Sequence, residues 1–274
     1  MSMVTNQKHV AKRQCRHARS FWKRAEVSVP HFSTSARQAF TLVELLVVIG
    51  ILAILAALIT PAIFQARVSA RNAAIKAEID MLHMAIMNYK NEYGSFPPCY
   101  DTNTTLSGNG PAVKHLRRLF PRCSTIDAQF SSSGLQPANM VHPANALNFW
   151  LRGYTGDLES PLNPPLSRKK LYDFDDYRVD ANGMYLAPNA QGTPYLYFDS
   201  SRYLNVNGQA GTGLGKCPAV FRVWRNDGPT GSGQFLELDG FIILSAGIDG
   251  EFYTADDISN AWKGTWEEWS ERLQ

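Results

Sequence analysis

Catalytic signatures are missing from this chain of 274 residues. Neither G-x-S-x-G nor H-E-x-x-H occurs, so the sequence offers no hydrolase elbow and no zinc-protease helix. The stretch from Gly211 to Lys216 resembles a phosphate loop only briefly. The residue five before Gly215 is Ala210, and Cys217 stands where Ser or Thr should hold magnesium. It reads as a loop joining strands. Cysteine is scarce as well: the chain has 4, none in C-x-x-C spacing, which removes support for a zinc ribbon or a thioredoxin-like site. Cys15 lies near the start, leaving Cys99, Cys123 and Cys217, an odd number that allows at most one intrachain bridge. Sequence does not choose its pairing. After residue 39 the only histidines are His83, His115 and His142, and none is paired in sequence with a nucleophile. His83 reads as packed or solvated. The acidic group Asp173, Asp175 and Asp176 reads as solvated.

Charge is unevenly distributed. Before Phe40 there are eight Lys and Arg residues against one acid, Glu26, a balance of +7. The whole chain is +3, so the remainder carries −4. An acidic body makes a nucleic-acid partner unexpected. The most telling absence is that no charged residue occurs from Leu45 to Phe64.

That stretch is long enough to matter. About 20 residues at 1.5 Å rise cross a hydrocarbon core of roughly 30 Å. Residues 40–64 are therefore expected to form a transmembrane helix. One acid, Glu44, sits at its N-terminal edge. A carboxylate deep in a bilayer costs on the order of 2.5–3.5 kcal/mol on the insertion scale. The helix dipole reduces that cost without removing it. If the chain were cut between Ala39 and Phe40, a new amino group with a pKa of about 7.7–8.0 would face Glu44 of the same or a neighbouring subunit. An ordinary anchor explains the span but not Arg37, Phe40, Thr41 and Glu44 together. A secretory signal cut after Ala70 needs an apolar region of about 7–15 residues, shorter than this one.

The pattern Arg37-Gln-Ala-Phe-Thr-Leu-Val-Glu44 resembles the signal of type IV pilins and type II secretion pseudopilins. That family has a basic leader, a small residue before the cut, Phe after it, Glu four residues on and a long apolar helix. Ala39, Phe40 and Glu44 match, with Ala39 in place of the usual Gly. Pro61 falls where many pilins carry a kinking proline. The resemblance implies that residues 1–39 are a leader removed by prepilin peptidase, and that Phe40 is N-methylated. It also implies that Glu44 pairs with the Phe40 amine of the next subunit on assembly.

The helical pattern continues past the span, over residues 65–94. Ile75, Ile79, Leu82, Ile86, Tyr89 and Tyr93 form one apolar stripe, with Arg71, Lys76, Asp80 and Lys90 off it. Gly94 and Pro97-Pro98 supply the stop. From Phe40 to Tyr93 the helix would be roughly 80 Å long. Its second half has one apolar face, and burial against its own head is favoured over a coiled-coil dimer. Residues 95–274 then form the head. Short helices are expected at Val113–Leu119 and Ala144–Leu151. Strands are expected at Pro194–Phe198, Ala219–Trp224, Gln234–Leu238 and Gly240–Leu244. The expected fold is α+β: a long N-terminal helix packed on a C-terminal antiparallel sheet, as the pilin resemblance also implies.

An acidic loop spans 244–262, with Asp249, Glu251, Asp256 and Asp257. Calcium takes about 6–8 oxygens, and Gly247 and Gly250 let such a loop fold back. A solvated turn explains the same composition. The loop is similar to the calcium loop of major type II pseudopilins through Gly247-Ile248-Asp249-Gly250 and Asp257-Ile258, with Asn260 and Trp262 behind. That resemblance implies a structural calcium on Asp249, Asp256 and Asp257, with Leu244 as a carbonyl donor. The family likeness as a whole implies a non-enzymatic pseudopilin-like subunit of a type II secretion system. It would be single-pass in the inner membrane, with N-terminus cytoplasmic and head periplasmic. Its expected partners are prepilin peptidase, like and unlike pseudopilins, the inner-membrane assembly platform with its ATPase, and membrane lipid. The alternatives are a minor or stand-alone pilin-like protein for adhesion, motility or DNA uptake, and a membrane-tethered binding head.

Overall fold

The computed structural model describes residues 40–99, 110–132, 141–163, 168–188, 192–206, 209–210, 220–229 and 231–273. Residues 1–39, which include the expected cleavage residue Ala39, and Cys217 lie outside the described residues. The chain divides into two compact units between Ile54 and Leu55.

One helix dominates: α1, Leu42–Tyr93, with Pro61 inside it. Thr60 Oγ1 donates to the Ala56 carbonyl at 2.7 Å just before the proline. The side chains from Phe40 to Phe64 are exposed, and an 18-residue window of α1 has mean hydropathy 3.0 with none of it buried. A helix apolar on every face and uncovered by protein fits a single-pass membrane anchor. Further along, Ile75, Ile79, Leu82, Ile86 and Tyr89 are buried, as their spacing predicts, and Tyr93 packs at the edge of the same core. Gly94 takes φ +79°, and its N–H donates to the Lys90 carbonyl at 2.7 Å, ending the helix in the left-handed conformation that glycine permits.

The head is α+β, a pilin-like arrangement. Its helices are α2 (Pro111–Leu119), α3 (Ile126–Ser131) and α4 (Ala146–Leu151). The sheet follows: β1 (Leu196–Asp199), then α5 (Tyr203–Val206), β2 (Gln209–Ala210), β3 (Val220–Phe221), β4 (Phe241–Ser245) and β5 (Ile258–Ser259). A last helix, α6, covers Trp266–Ser270. Strands β1, β4 and β5 form one antiparallel sheet with β4 central, Leu196 opposite Leu244 and Ser245 opposite Ile258. Strands β2 and β3 pair separately. Every residue of β1 and β4 is buried, and both strands share one core with the stripe of α1.

One expected strand is not there. Gln234–Leu238 forms only an isolated bridge, Phe235 with Arg225. Glu237 sits at φ +52°, and its carbonyl accepts from the Tyr203 hydroxyl at 3.1 Å. A left-handed residue breaks the pleat that a ladder needs.

Candidate functional site

The start of α1 is the first functional region. Phe40 is the first described residue and is exposed. Thr41 caps the helix. Its Oγ1 accepts from the Glu44 N–H at 3.2 Å, while Glu44 Oε2 accepts from the Thr41 N–H at 2.8 Å and from the Thr41 hydroxyl at 2.9 Å. This is a reciprocal capping box, which satisfies two of the donors that a helix start leaves open. The T-x-x-E spacing was the signal for it, although sequence reasoning attended only to the carboxylate. The acid therefore has a partner within its own chain before any neighbour arrives.

A second acid on α1 escaped the sequence reading. Glu78 lies inside the apolar stripe and is 6 % exposed. Arg178 grips it with two nitrogens at 2.7 and 2.8 Å. The hydroxyls of Tyr185 and Tyr195 each donate to it at 2.6 Å, and Tyr172 adds a longer contact at 3.4 Å. Burial alone would raise this carboxyl. The hydrogen bonds from Arg178, Tyr185 and Tyr195 outweigh burial and hold it below the usual carboxylate range. The guanidinium also stacks over the Tyr185 ring at 4.5 Å. This clamp locks the helix to the segment 172–195. Nearer the end of α1, Tyr89 donates to or accepts from His115 at 2.8 Å and Tyr154 at 2.6 Å. Burial, then the nearby Arg118 charge, lowers the His115 pKa to about 4, so the ring is neutral.

The acidic loop is the third region. The fold brings Asp249, Asp256 and Asp257 into one turn between β4 and β5. Asp256 Oδ2 accepts from the backbone N–H of Ile248 at 2.7 Å and of Asp249 at 3.1 Å, and Thr254 donates to its other oxygen at 2.7 Å. Gly247 stands at φ +61° with no room for a Cβ, which would strike the Asp256 carbonyl. Asp249 accepts from the Glu251 N–H at 2.7 Å, and burial and the Asp256 charge raise its pKa. Asp257 is fully buried. Its Oδ2 accepts from the Tyr253 N–H at 2.8 Å, but its Oδ1 has no partner. Burial pushes its pKa up to about 9. Leu244 is mid-strand, flanked by Leu196 and Ser259. Among the described residues, no three His, Cys, Asp or Glu side chains are already arranged to hold a metal. In kind, however, the donors fit a hard divalent cation: carboxylate oxygens, one of them buried and unpartnered, beside a second pair whose charges oppose each other.

Other sequence readings have plain outcomes. Cys99 and Cys123 are buried free thiols. The cluster at 173–176 is spread among separate partners: Asp173 with Lys170, Asp176 with Arg152, and Asp175 capping Tyr177. His83 packs on Phe241, ring centres 4.9 Å apart.

No curated protein and no solved structure matches the chain. A family model described as the prokaryotic N-terminal methylation motif matches residues 34–60, which span the capped start of α1 and most of its uncovered apolar part. The match supports a type IV pilin-like family, whose members are structural subunits processed by prepilin peptidase and assembled with their own kind.

Proposed function

We propose that this chain is a pseudopilin-like subunit of a type II secretion system. The observation that carries the reading is the methylation motif leading into a single unbroken helix that ends in a compact head. In this reading residues 1–39 are cut away after Ala39 and Phe40 is methylated. Residues 40–64 hold the subunit in the inner membrane, N-terminus inward, and the head stands in the periplasm. Subunits then leave the membrane, driven by the assembly platform, and pack through their apolar helices into a filament. Glu44 exchanges its contacts with Thr41 for the Phe40 ammonium of the next subunit. Thr41 offers the carboxylate only neutral donors, whereas the ammonium brings a full opposite charge, and an apolar surrounding strengthens that attraction.

The secretion assignment, as opposed to adhesion or DNA uptake, rests on the acidic loop. Calcium bound by Asp249, Asp256 and Asp257 would supply the positive charge that the Asp257 oxygen lacks. Leu244, paired on both flanks within the sheet, contributes least to this proposal. The ion would be structural. It would fix the turn whose backbone also anchors the C-terminal segment, since the Asp257 carbonyl accepts from the Trp266 N–H at 2.8 Å.

Two measurements test the reading. Intact mass of the protein from its native membrane should give an N-terminus at methylated Phe40; an uncut chain sinks the whole proposal. Deleting the gene should block release of secreted proteins and spare surface fibres; the reverse result selects the pilin alternative. For the loop, the melting temperature should rise with calcium, and Asp256→Ala should abolish that rise. Equal melting of the wild type with calcium and with chelator removes calcium from the account.

A further inference from the structure

Two clefts of the head share the Phe96 ring in their lining, and each leaves charges without an ion-pair partner. The first, of about 400 Å³, is lined by Lys114 and Arg118 from α2 and by Asp199 and Arg202 from the end of β1 onward. Asp199 is buried, accepts from the Ser201 hydroxyl and feels the Arg202 charge, so those two oppose each other. Lys114 and Arg118 are exposed, and among the described residues no acid pairs with either. The Arg118 guanidinium reaches the Ser95 hydroxyl and His115 Nδ1, which hold it in place without cancelling its charge. The cleft thus offers two open cations on a body whose balance is −4.

The second cleft, of about 490 Å³, is bordered by the turn Glu237-Leu238-Asp239. All three residues are exposed, Leu238 by 60 %. The turn is pinned. The Glu237 carbonyl accepts from the Tyr203 hydroxyl at 3.1 Å and from the Gly240 N–H at 3.3 Å, and the Gly240 carbonyl accepts from the Ser200 N–H at 3.1 Å. Lys90 lines the same cleft, but its ammonium sits over the Phe96 ring at 4.1 Å. Among the described residues no cation pairs with Glu237 or Asp239.

A single exposed leucine is ordinary. This one is held out on a pinned, left-handed turn between two open acids. The two open cations stand in the cleft on the other side of the shared lining, yet no ion pair forms between them and the acids within the chain. One head therefore carries both halves of a complementary contact, and neither half is used by its own fold.

We propose that the two halves meet between copies. The turn Glu237–Asp239 of one subunit seats in the Lys114–Arg118 cleft of a neighbour, its carboxylates meet the two cations, and Leu238 rests against Phe96 and Pro111. Exposed ion pairs contribute little singly. The contact gains weight once α1 holds copies side by side, because the second contact is then effectively intramolecular. The proposal rests on assembly with like subunits and is independent of the secretion assignment and of calcium.

The test uses two differently tagged full-length copies in one native membrane, Leu238→Cys in the first and Pro111→Cys in the second, followed by oxidation. A disulfide-linked mixed dimer is expected, and much less product from two Leu238→Cys copies or two Pro111→Cys copies. Charge reversal then tests the pairing. Asp239→Lys on the first copy, or Lys114→Glu on the second, should each cut the mixed dimer by about fivefold. Both together should restore it, and rescue by a change on the other copy separates lost pairing from misfolding. A pair of Ile51→Cys copies reports helix assembly separately. No product at either place overturns assembly along with this contact. Helix product without the mixed dimer, or a reversal that is not restored, overturns the contact alone. Linkage of Pro111→Cys to a different protein overturns it too and assigns the cleft to that protein.

Discussion

Glu44 and Glu78 stand on one helix, and each places a carboxylate in an apolar setting. Glu44 is exposed, and its partner among the described residues is Thr41, which caps the helix. Glu78 lies where the head closes over the helix, and it is saturated by an arginine fork and two tyrosines. The difference separates two kinds of charge on an apolar helix. One is finished within the fold. The other meets only a local cap, which in the proposed function gives way to a neighbouring subunit. A buried pair is weak evidence for net stability, but removing one member is costly. An acid that is only capped is cheap to disturb within the monomer, and under the proposed function its value appears on assembly.

The largest expected effect follows from the finished pair. Glu78→Ala leaves the Arg178 guanidinium and two tyrosine hydroxyls facing a cavity, and should cost about 3–5 kcal/mol in denaturant unfolding of the head in detergent. The double replacement Glu78→Leu with Arg178→Met should recover much of that loss. If the single change were mild, the clamp would be a bystander and the comparison would collapse. The pH dependence has a fixed sign. The Glu78 pKa is depressed in the fold, so its contribution is present above the unfolded carboxylate pKa and is lost as pH falls through the folded value.

His115 gives the next effect. Its folded pKa is lowered to about 4, so the unfolded chain takes up a proton that the folded head refuses. Stability should fall as pH drops from about 6.5 to about 4, by up to roughly 3 kcal/mol. His115→Gln should flatten that portion of the melting-temperature profile. An unchanged profile would mean that the ring is already charged in the fold, which would also unsettle its bond with Tyr89.

How much of this could be read in the chain differs by region. The stripe from Ile75 to Tyr93, the stop at Gly94 and the uncovered span were all legible, because helical periodicity and the absence of charge are local signals. Glu78 was not. A lone acid in a stripe looks like an exposed position until Arg178, Tyr185 and Tyr195 are seen to converge on it from about 100 residues away. Strand β5 is two residues long and exists only through its pairing with β4, so no period could reveal it. The run Gln234–Leu238 had strand composition but not strand backbone, since Glu237 turns left-handed. Helix α6 carried its signal in Thr265-x-x-Glu268, the same box that opens α1 at Thr41-x-x-Glu44.

The smallest effect in the monomer is the sharpest probe of the comparison. Thr41→Val removes the hydroxyl that caps α1 but leaves the Glu44 carboxylate in place. It should cost the helix start about 1 kcal/mol, seen as faster amide exchange in the first turn, with head stability unchanged. Glu44→Ala loses the other half of the same box, so its effect on helix fraying should be similar. The two variants should part company only on assembly. Thr41→Val takes the hydroxyl from Glu44 but leaves the backbone N–H of residue 41 on its carboxylate, and should still form filaments, whereas Glu44→Ala should be cleaved and inserted normally and form none. If Thr41→Val lost filaments as completely as Glu44→Ala, the cap itself would be what assembly requires, and the carboxylate would have no further partner to meet.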